Sequence, residues 1–385
     1  MRKFTLITAL IIAAVIVGVV LLNRNKTNER VVSANTDLLP NFITDDSGFK
    51  RAVGPYAWNF PEDHGPHLGF QTEWWYYTGN LSTEAGRRFG YQFTIFRRAI
   101  TPDSVTSESE WRSNQLYLAH FTVTDVEGRQ FYQAQRFSRA SADLAGATTD
   151  PRYRVWLEDW EIRALDQEAS QTHLTAGTDT FEINLTLNQA KPPALQGDRG
   201  LSPKSDVTDN ASYYYSLSRL ITEGTMTINH EMYQVRGTTW MDHEFSTSAL
   251  GADAQGWDWF GLHLDDNREL MLGQIRLTDG GIDPVFGGLL VFPDGSTHQL
   301  AAGDFTIEIT DTWTSPHTGT TYPAGWDIVI HEPEPLHLVL TPLLSDQELT
   351  EGIVYWEGAV QIGGDITGYG YAELTGYQGS MRQRF

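Results

Sequence analysis

Hydrophobic and polar residues alternate with a period of two along much of the chain. Over residues 91–95 and 117–123 the odd positions carry apolar or aromatic side chains, and polar residues occupy many of the even positions. Successive side chains of a β-strand point to opposite faces, so this period is typical of strands. No comparable stretch of helical periodicity occurs beyond the N-terminus.

Turn-forming residues separate these alternating runs. Short clusters of Asp, Asn, Pro and Gly occur at residues 125–128, 229–231, 279–281 and 293–295, each between apolar segments. Such clusters are typical of β-hairpin loops. The pattern predicts an all-β protein with antiparallel strands, built as barrels or sandwiches.

The first 26 residues are predicted to be a signal peptide or membrane anchor. Arg2 and Lys3 precede an uninterrupted apolar run over residues 4–22, which is long enough to form a hydrophobic helix that spans a bilayer. The polar residues 27–50 are typical of a linker. We therefore expect an exported protein that is secreted or membrane-anchored outside the cytoplasm, with the membrane as one partner.

A stretch of small residues over 246–255 predicts a boundary between two domains, residues 51–247 and residues 248–385. A second segment, residues 188–210, contains Lys, Pro and Gly and is predicted to be a surface loop near the mouth of a site.

Charge and cysteine content narrow the function classes. The chain has 49 acidic and 27 basic residues, a formal net charge of −22, which disfavours binding to nucleic acid. Aromatic residues make up 12% of the chain, which indicates a folded core rather than an acidic disordered chain. Without any cysteine the chain has neither disulfides nor a thiolate nucleophile.

The segment 240–245 combines carboxylates with aromatic residues. On a strand, Asp242 and Glu244 share a face with Trp240, with roughly 7 Å between alternate side chains. Two carboxylates at that spacing raise one another's pKa, and burial adds to the effect. One of them is then protonated near neutral pH and suited to general acid catalysis, such as protonation of an alkene. We predict Asp242 and Glu244 as catalytic residues.

Aromatic clusters elsewhere predict the wall of a cavity for an apolar ligand, because rings bind apolar groups and stabilise a developing cation. No compact ligand spacing indicates a metal site, and no nucleotide-binding or hydrolase motif is present, so neither a metal nor a cofactor is expected. The predicted ligand-binding residues are Tyr213, Tyr215, Trp240, Trp257, Trp259, Trp75 and His120.

Several blocks of sequence in one order resemble the AttH-like family, which is related to carotenoid 1,2-hydratase (hydroxyneurosporene synthase). The resemblance covers roughly residues 56–377 and is carried by residues 73–81, 90–94, 119–121, 214–216, 240–244, 256–260 and 371–377. It implies two lipocalin-like antiparallel β-barrel domains packed together. Some members of the family are encoded beside ABC-type exporters, so an exporter of that class is an implied partner.

The hydratase branch of this family also implies site residues. Its Tyr-x-Asp pair, which supplies the acid, falls on Trp240 and Asp242, so the Asp is retained and the Tyr is replaced. Its His-x-Trp pair falls on Tyr213 and Tyr215, which are different residue types.

Three functions remain open from the sequence. The first is a hydratase or isomerase that acts on an unsaturated apolar substrate by acid catalysis. The second is a non-catalytic carrier of a hydrophobic ligand, or an accessory of an ABC-type exporter. The third is a carbohydrate-active protein, because glycosidases also combine Trp platforms with paired carboxylates.

Overall fold

The computed structural model describes residues 46–102, 113–247 and 250–381. The predicted N-terminal hydrophobic helix and signal or anchor segment, and all but the last five residues of the predicted linker, lie outside these residues. Within the described part of the chain, no helix has both the length and the apolar character needed to cross a membrane. Apart from one 3-10 turn, Glu62–His64, the regular structure described is entirely β.

The first of two antiparallel sheets comprises the strands before residue 247. Their bounds are β1 Thr72–Ser82, β2 Arg88–Ala99, β3 Gln115–Asp125, β4 Gln130–Arg139, β5 Ala145–Thr148, β6 Arg154–Leu157, β7 Trp160–Ala164, β8 Gln171–Gly177, β9 Phe181–Gln189, β10 Ala194–Leu195, β11 Leu201–Pro203, β12 Ala211–Ile228 and β13 Glu231–Ser246. The strand order is β4-β3-β2-β1-β13-β12-β9-β8-β7-β6-β5, and β10 and β11 pair with β12.

The second sheet comprises the remaining strands. Their bounds are β14 Ala254–Leu264, β15 Glu269–Leu277, β16 Gly288–Val291, β17 Thr297–Leu300, β18 Phe305–Thr314, β19 Thr321–Ile330, β20 Leu336–Pro342, β21 Glu348–Leu349, β22 Tyr355–Gly364 and β23 Gly368–Leu374. The order is β17-β16-β15-β14-β23-β22-β20-β19-β18, and β21 pairs with β22.

Each sheet curls around its own hydrophobic core. In the first sheet Phe121 of β3 stacks on Phe181 of β9, with ring centroids 4.9 Å apart, although several strands separate the two in the sheet order. In the second sheet Phe260 of β14 contacts Trp326 of β19 edge-on, with centroids 5.4 Å apart. The predicted all-β, antiparallel architecture is therefore confirmed.

Hairpin loops form at the predicted turn clusters. The loop between β12 and β13 consists of Asn229 and His230, whose φ angles are 49° and 70°. Two consecutive positive φ angles are those of a type I′ turn, whose twist matches that of antiparallel strands.

The two sheets pack against each other through the outer face of the first. Strand β3 is an example, because both of its faces are buried. Its odd-numbered residues fill the core of the first sheet, whereas the polar residues His120, Thr122 and Thr124 on the other face are also buried. The second sheet covers them: Thr124 Oγ1 donates to Gln347 Oε1 at 2.7 Å, and Asn80 Nδ2 donates to the Gly370 carbonyl at 3.0 Å.

The chain passes from one sheet to the other between Ser246, where β13 ends, and Ala254, where β14 begins. The division into domains 51–247 and 248–385 stays a prediction.

Candidate active site

Two rows of side chains cross the outer face of the first sheet. Tyr76 of β1 and Ser216 of β12 both pair with Asp242 of β13, and two residues further along Trp74 and Tyr214 pair with Glu244 in the same way. Because alternate residues of a strand point to one face, all of these side chains face the second sheet. The segment 240–244 thus presents its two carboxylates where the sheets meet.

A matching row lies on the second sheet. Glu373 of β23 pairs with Trp259 of β14 on one side and with Glu357 of β22 on the other. Hydrogen bonds join this row to both rows of the first sheet: Trp259 Nε1 donates to Tyr214 Oη at 3.2 Å, and Tyr76 Oη donates to Glu357 Oε1. Asp242 is the central residue of its row on the first sheet, and Glu373 is the central residue of the row on the second.

A cavity of about 80 Å³ lies between these rows, where the two sheets meet. The lining is mostly aromatic and aliphatic, with three carboxylates and one lysine: Trp74, Tyr76, Phe96, Lys204, Tyr214, Asp242, Glu244, Leu250, Trp257, Trp259, Ile275, Phe286 and Glu373.

The carboxyl group of Asp242 is held by three donors. Tyr214 Oη donates to Oδ2 at 2.6 Å, while Ser216 Oγ at 2.5 Å and Trp240 Nε1 at 2.7 Å donate to Oδ1. Burial raises the pKa of Asp242 to about 7, although these hydrogen bonds favour the anion, and the charge of Glu244 acts in the same direction as burial. The geometry is fixed and the group exchanges a proton near neutral pH.

Glu373 has the same property on the facing wall. Burial raises its pKa to about 7, opposed by the hydrogen bond from Trp257 and reinforced by the charges of Asp242 and Glu244. Trp257 Nε1 donates to Glu373 Oε2 at 3.0 Å. Because the two acids interact, their titrations belong to the pair rather than to either residue alone.

Glu244 is paired with a cation. Lys204 Nζ, in the segment after β11, lies 2.9 Å from Glu244 Oε1, and both side chains are almost fully buried. Of the two carboxylates predicted from the sequence, Asp242 therefore has the environment of an acid, whereas Glu244 has that of the carboxylate of an ion pair.

Glu357 is a further buried acid, just beyond the lining. Burial and the charge of Glu373 raise its pKa well above the usual range, which favours the protonated form. Its hydrogen-bond partner Tyr76 lines the cavity and separates it from the cavity space.

The structure brings together Asp242, Glu244, Trp257 and Trp259, all of which line the cavity. Trp240 lies behind Asp242, to which it donates a hydrogen bond.

The other predicted ligand-binding residues lie outside the lining. Tyr213 and Tyr215 point to the opposite face of β12, because they are one residue out of phase with Tyr214. Tyr213 Oη donates to the carbonyls of Val53 and Gly54, both at 3.3 Å. Tyr215 Oη hydrogen-bonds with His64 Nδ1 at 2.6 Å.

Trp75 and His120 also lie elsewhere. Trp75 belongs to the core of the first sheet, and its Nε1 donates to the His64 carbonyl at 2.9 Å. His120 lies between the sheets, where Nδ1 hydrogen-bonds with Tyr355 Oη at 2.8 Å. The ligand-binding roles of Tyr213, Tyr215, Trp75 and His120 stay predictions.

Sequence reasoning did not select Tyr214, Glu373, Tyr76 or Lys204. Glu373 carried a signal in the sequence, because it is an acid between the apolar residues Ala372 and Leu374. Tyr214 is a cross-strand neighbour of Glu244, which only the fold reveals.

A second cluster of ionisable residues lies away from the cavity. Ligand atoms of His67, Glu73 and His243 lie within 4.8 Å of one another, close enough to hold a metal ion. They are already joined to each other: Glu73 Oε1 lies 2.8 Å from His67 Nδ1 and 2.9 Å from His243 Nε2, and Arg97 Nε donates to Glu73 Oε2 at 2.8 Å. The charge of Arg97 and these hydrogen bonds hold the pKa of Glu73 well below its usual range against the effect of burial. We interpret the cluster as a hydrogen-bonded network that ties residues 46–71 to the first sheet.

The cavity thus combines a fixed carboxyl group with a pKa near 7, a second carboxyl group with a pKa near 7, and indole rings in the lining. Such a site can give a proton to an apolar substrate and take one from water.

Comparison with known proteins identifies the family of the chain. Residues 51–377 match the model of the AttH-like family. The crystal structure of a protein from Nitrosomonas europaea described as AttH is similar to this one, with a TM-score of 0.77. The two sequences are 33% identical, and the match covers 86% of this chain and 100% of the Nitrosomonas chain.

Kievitone hydratase from Nectria haematococca shares the fold, with a TM-score of 0.62, 16% identity, and coverage of 85% of this chain and 96% of its own. No curated protein matches the chain. With a family model that spans most of its length and a relative one-third identical, this chain belongs to the AttH-like family.

Proposed function

We propose that this protein hydrates or isomerises an apolar unsaturated substrate by acid catalysis in the cavity between the sheets, with Asp242 as the proton donor. The observation that carries the proposal is the position of the Asp242 carboxyl: it is buried in the cavity wall, held by Tyr214, Ser216 and Trp240, and faced by the aromatic residues of the second sheet.

The chemistry follows from the two facing acids. Asp242 gives its proton to one alkene carbon, and the π electrons of the alkene form the new C–H bond. The electron-poor carbon that results is stabilised by the faces of nearby rings, by roughly 0.5 to 2 kcal/mol for each favourably placed ring. In hydration, water adds to that carbon and Glu373 accepts the proton that water loses. In isomerisation, Glu373 instead removes a proton from a neighbouring carbon. Transfer of a proton from Glu373 to Asp242 restores the starting state.

A structural neighbour supports the choice of reaction. Kievitone hydratase, whose name denotes the addition of water, has the same fold, and for this reason we propose hydration rather than hydrolysis. The carbohydrate-active alternative has less support, because Glu244 is neutralised by Lys204 and most of the lining is apolar.

The experiment supplies an isoprenoid alkene and an aryl alkene in water enriched in oxygen-18, and in heavy water. Mass spectrometry detects labelled water added to the product or solvent deuterium exchanged into it. We expect the wild-type protein to label at least one probe, and Asp242→Asn to lower the rate by about 100-fold or more. Undiminished labelling by Asp242→Asn would exclude the acid role.

Asp258→Asn is a matched control for that substitution. Asp258 is also a buried acid, but it lies between Trp257 and Trp259 on the opposite face of β14, where it pairs with Arg276 at 3.0 Å. Circular dichroism confirms that each variant is folded. Equal losses of activity in the two variants would indicate a structural effect instead of proton donation.

A non-catalytic carrier is the second candidate, favoured by the apolar lining. Under that alternative no probe is labelled, yet apolar ligands quench the fluorescence of Trp257 and Trp259 equally in wild type and in Asp242→Asn. Comparison of labelling with quenching separates the two functions.

We further propose that the two curled sheets are lipocalin-like barrels and that the protein acts outside the cytoplasm, tethered through its N-terminal segment or released from it. The apolar run over residues 4–22 supports export. Association with an ABC-type exporter is proposed on the family resemblance, and affinity purification of the full chain from membranes tests it.

A further inference from the structure

Lys204 is the one positively charged residue among the described residues that line the cavity. Its side chain is only 8% exposed, so the ammonium group lies in the wall and not at the outer surface. Nζ lies 4.4 Å from the centre of the Phe286 ring and 5.1 Å from that of Tyr214. These rings hold the charged end of the side chain at a fixed place in the lining.

The ammonium group has more donors than the protein uses. It carries three N–H groups. Within the described part of the chain, its oxygen neighbours are Glu244 Oε1 at 2.9 Å and Ser202 Oγ at 3.2 Å. Two oxygen neighbours thus face three N–H groups, and a buried donor without an oxygen acceptor costs free energy that a ligand oxygen recovers.

The charges around Lys204 determine which kind of ligand oxygen can bind there. A carboxylate ligand would lie beside Glu244 and near Asp242, so it would be repelled unless it displaced Glu244 from its ion pair. A purely hydrocarbon ligand leaves the spare donor unpaired. A neutral carbonyl oxygen accepts the hydrogen bond without disturbing the Lys204–Glu244 pair.

The position of Lys204 determines how far that ligand oxygen lies from the proton donor Asp242. Its partner Glu244 is two residues from Asp242 on one face of β13, and alternate side chains on a strand are roughly 7 Å apart. A carbonyl bound at Lys204 thus places a conjugated C=C bond toward Asp242 and Glu373.

The geometry points to an α,β-unsaturated carbonyl compound with an apolar body as the substrate class, bound through its carbonyl oxygen to Lys204. This inference rests on the proposed function and specifies its substrate.

The reaction on such a substrate is balanced within the cavity. Water forms a bond to the β-carbon and loses a proton to Glu373. The π electrons of the C=C bond move toward the carbonyl oxygen, where the Lys204 ammonium stabilises the enolate by charge and hydrogen bonding. Asp242 then gives its proton to the α-carbon, and the C=O bond is restored. The net change is addition of one water molecule.

The test is a binding comparison that requires no turnover. The probes are trans-4-phenyl-3-buten-2-one and the hydrocarbon in which a methylene group replaces its carbonyl oxygen, and quenching of tryptophan fluorescence reports their affinities. We expect wild type to bind the ketone about tenfold more tightly, as one hydrogen bond to a charged group implies. Equal affinities would overturn the inference.

Two variants assign the preference to Lys204. In Lys204→Met the preference for the ketone should disappear while the hydrocarbon still binds, which also shows that the cavity is intact. In Glu244→Gln the ammonium stays in place and the preference should persist. A preference that survives in Lys204→Met would overturn the assignment.

These outcomes are independent of the proposed catalysis. If the ketone preference depends on Lys204 but no labelling from solvent occurs, the substrate class holds and the catalytic proposal fails. If the hydrocarbon alkenes are hydrated and Lys204 does not strengthen binding of the ketone, the catalytic proposal holds and the inferred substrate class is wrong.

Discussion

Tyr214 donates a 2.6 Å hydrogen bond to Oδ2 of Asp242 across strands β12 and β13. The same hydroxyl accepts a hydrogen bond from Trp259 of the second sheet. The position of the candidate acid is thus fixed jointly by both sheets, and its ionisation depends on a tyrosine that itself lines the cavity.

Removal of that hydrogen bond should shift the pH dependence of activity. The bond from Tyr214 lowers the pKa of Asp242, so Tyr214→Phe should raise it, by about one to two units for a hydrogen bond to a charged group. Activity that requires protonated Asp242 then persists to higher pH, and the alkaline limb of the pH–rate profile moves upward.

Tyr213→Phe is the control, because that hydroxyl lies on the opposite face of β12 and donates to the backbone carbonyls of Val53 and Gly54. An alkaline limb of Tyr214→Phe that stays in place or moves down would contradict the assignment of that limb to Asp242.

Glu373→Gln should change both limbs of the same profile. If Glu373 accepts the proton from water, its loss removes the acid limb and lowers the rate by about 100-fold to 10,000-fold. Removal of its negative charge should also lower the pKa of Asp242, so the alkaline limb moves to lower pH.

The conservative variant Glu373→Asp keeps a carboxyl group and should keep an acid limb. A Glu373→Gln enzyme with the full bell-shaped profile would show that another group accepts the proton.

The network around Glu73 should contribute to stability and not to chemistry. Its carboxylate is fully buried between Arg97, His67 and His243, so Glu73→Gln leaves a buried charge without its partner. We expect a loss of about 3 to 5 kcal/mol in the free energy of unfolding, measured by urea denaturation.

Asp159→Asn is the comparison variant, because Asp159 pairs with Arg136 at the surface and its side chain is 79% exposed. Loss of such a pair typically costs about 0 to 1 kcal/mol. Similar effects of the two substitutions would contradict the structural importance of the Glu73 network.

The period of two in the sequence predicts strands and places Asp242 and Glu244 on one face, and the turn clusters between the strands predict their antiparallel arrangement. It does not show which face of a strand a partner sheet covers. For that reason the sequence selected Tyr213 and Tyr215, although the cavity is lined by Tyr214, one residue out of phase.

Glu373 and Lys204 could not be predicted for a different reason. Each is distant in sequence from residues 240–244 and reaches Asp242 or Glu244 only after the chain folds. No local pattern predicts that Glu373 faces Asp242, since this depends on the packing of the two sheets.

The central claim is that Asp242 carries a proton in the folded protein near neutral pH, and stability measured against pH tests it without a substrate. The ordinary pKa of an unfolded Asp is about 3.9, whereas burial raises that of Asp242 to about 7. Between these values the folded state holds a proton that the unfolded state has released, so the stability of the wild type falls as pH rises, by up to about 1.4 kcal/mol per pH unit from this group.

Asp242→Asn lacks this titration. The measurement is urea denaturation of both proteins at a series of pH values. The free energy of unfolding of Asp242→Asn minus that of wild type should increase from about pH 4 to pH 7 and then level off. A difference that stays constant or decreases over this range would show that Asp242 is ionised throughout and would contradict its role as the proton donor.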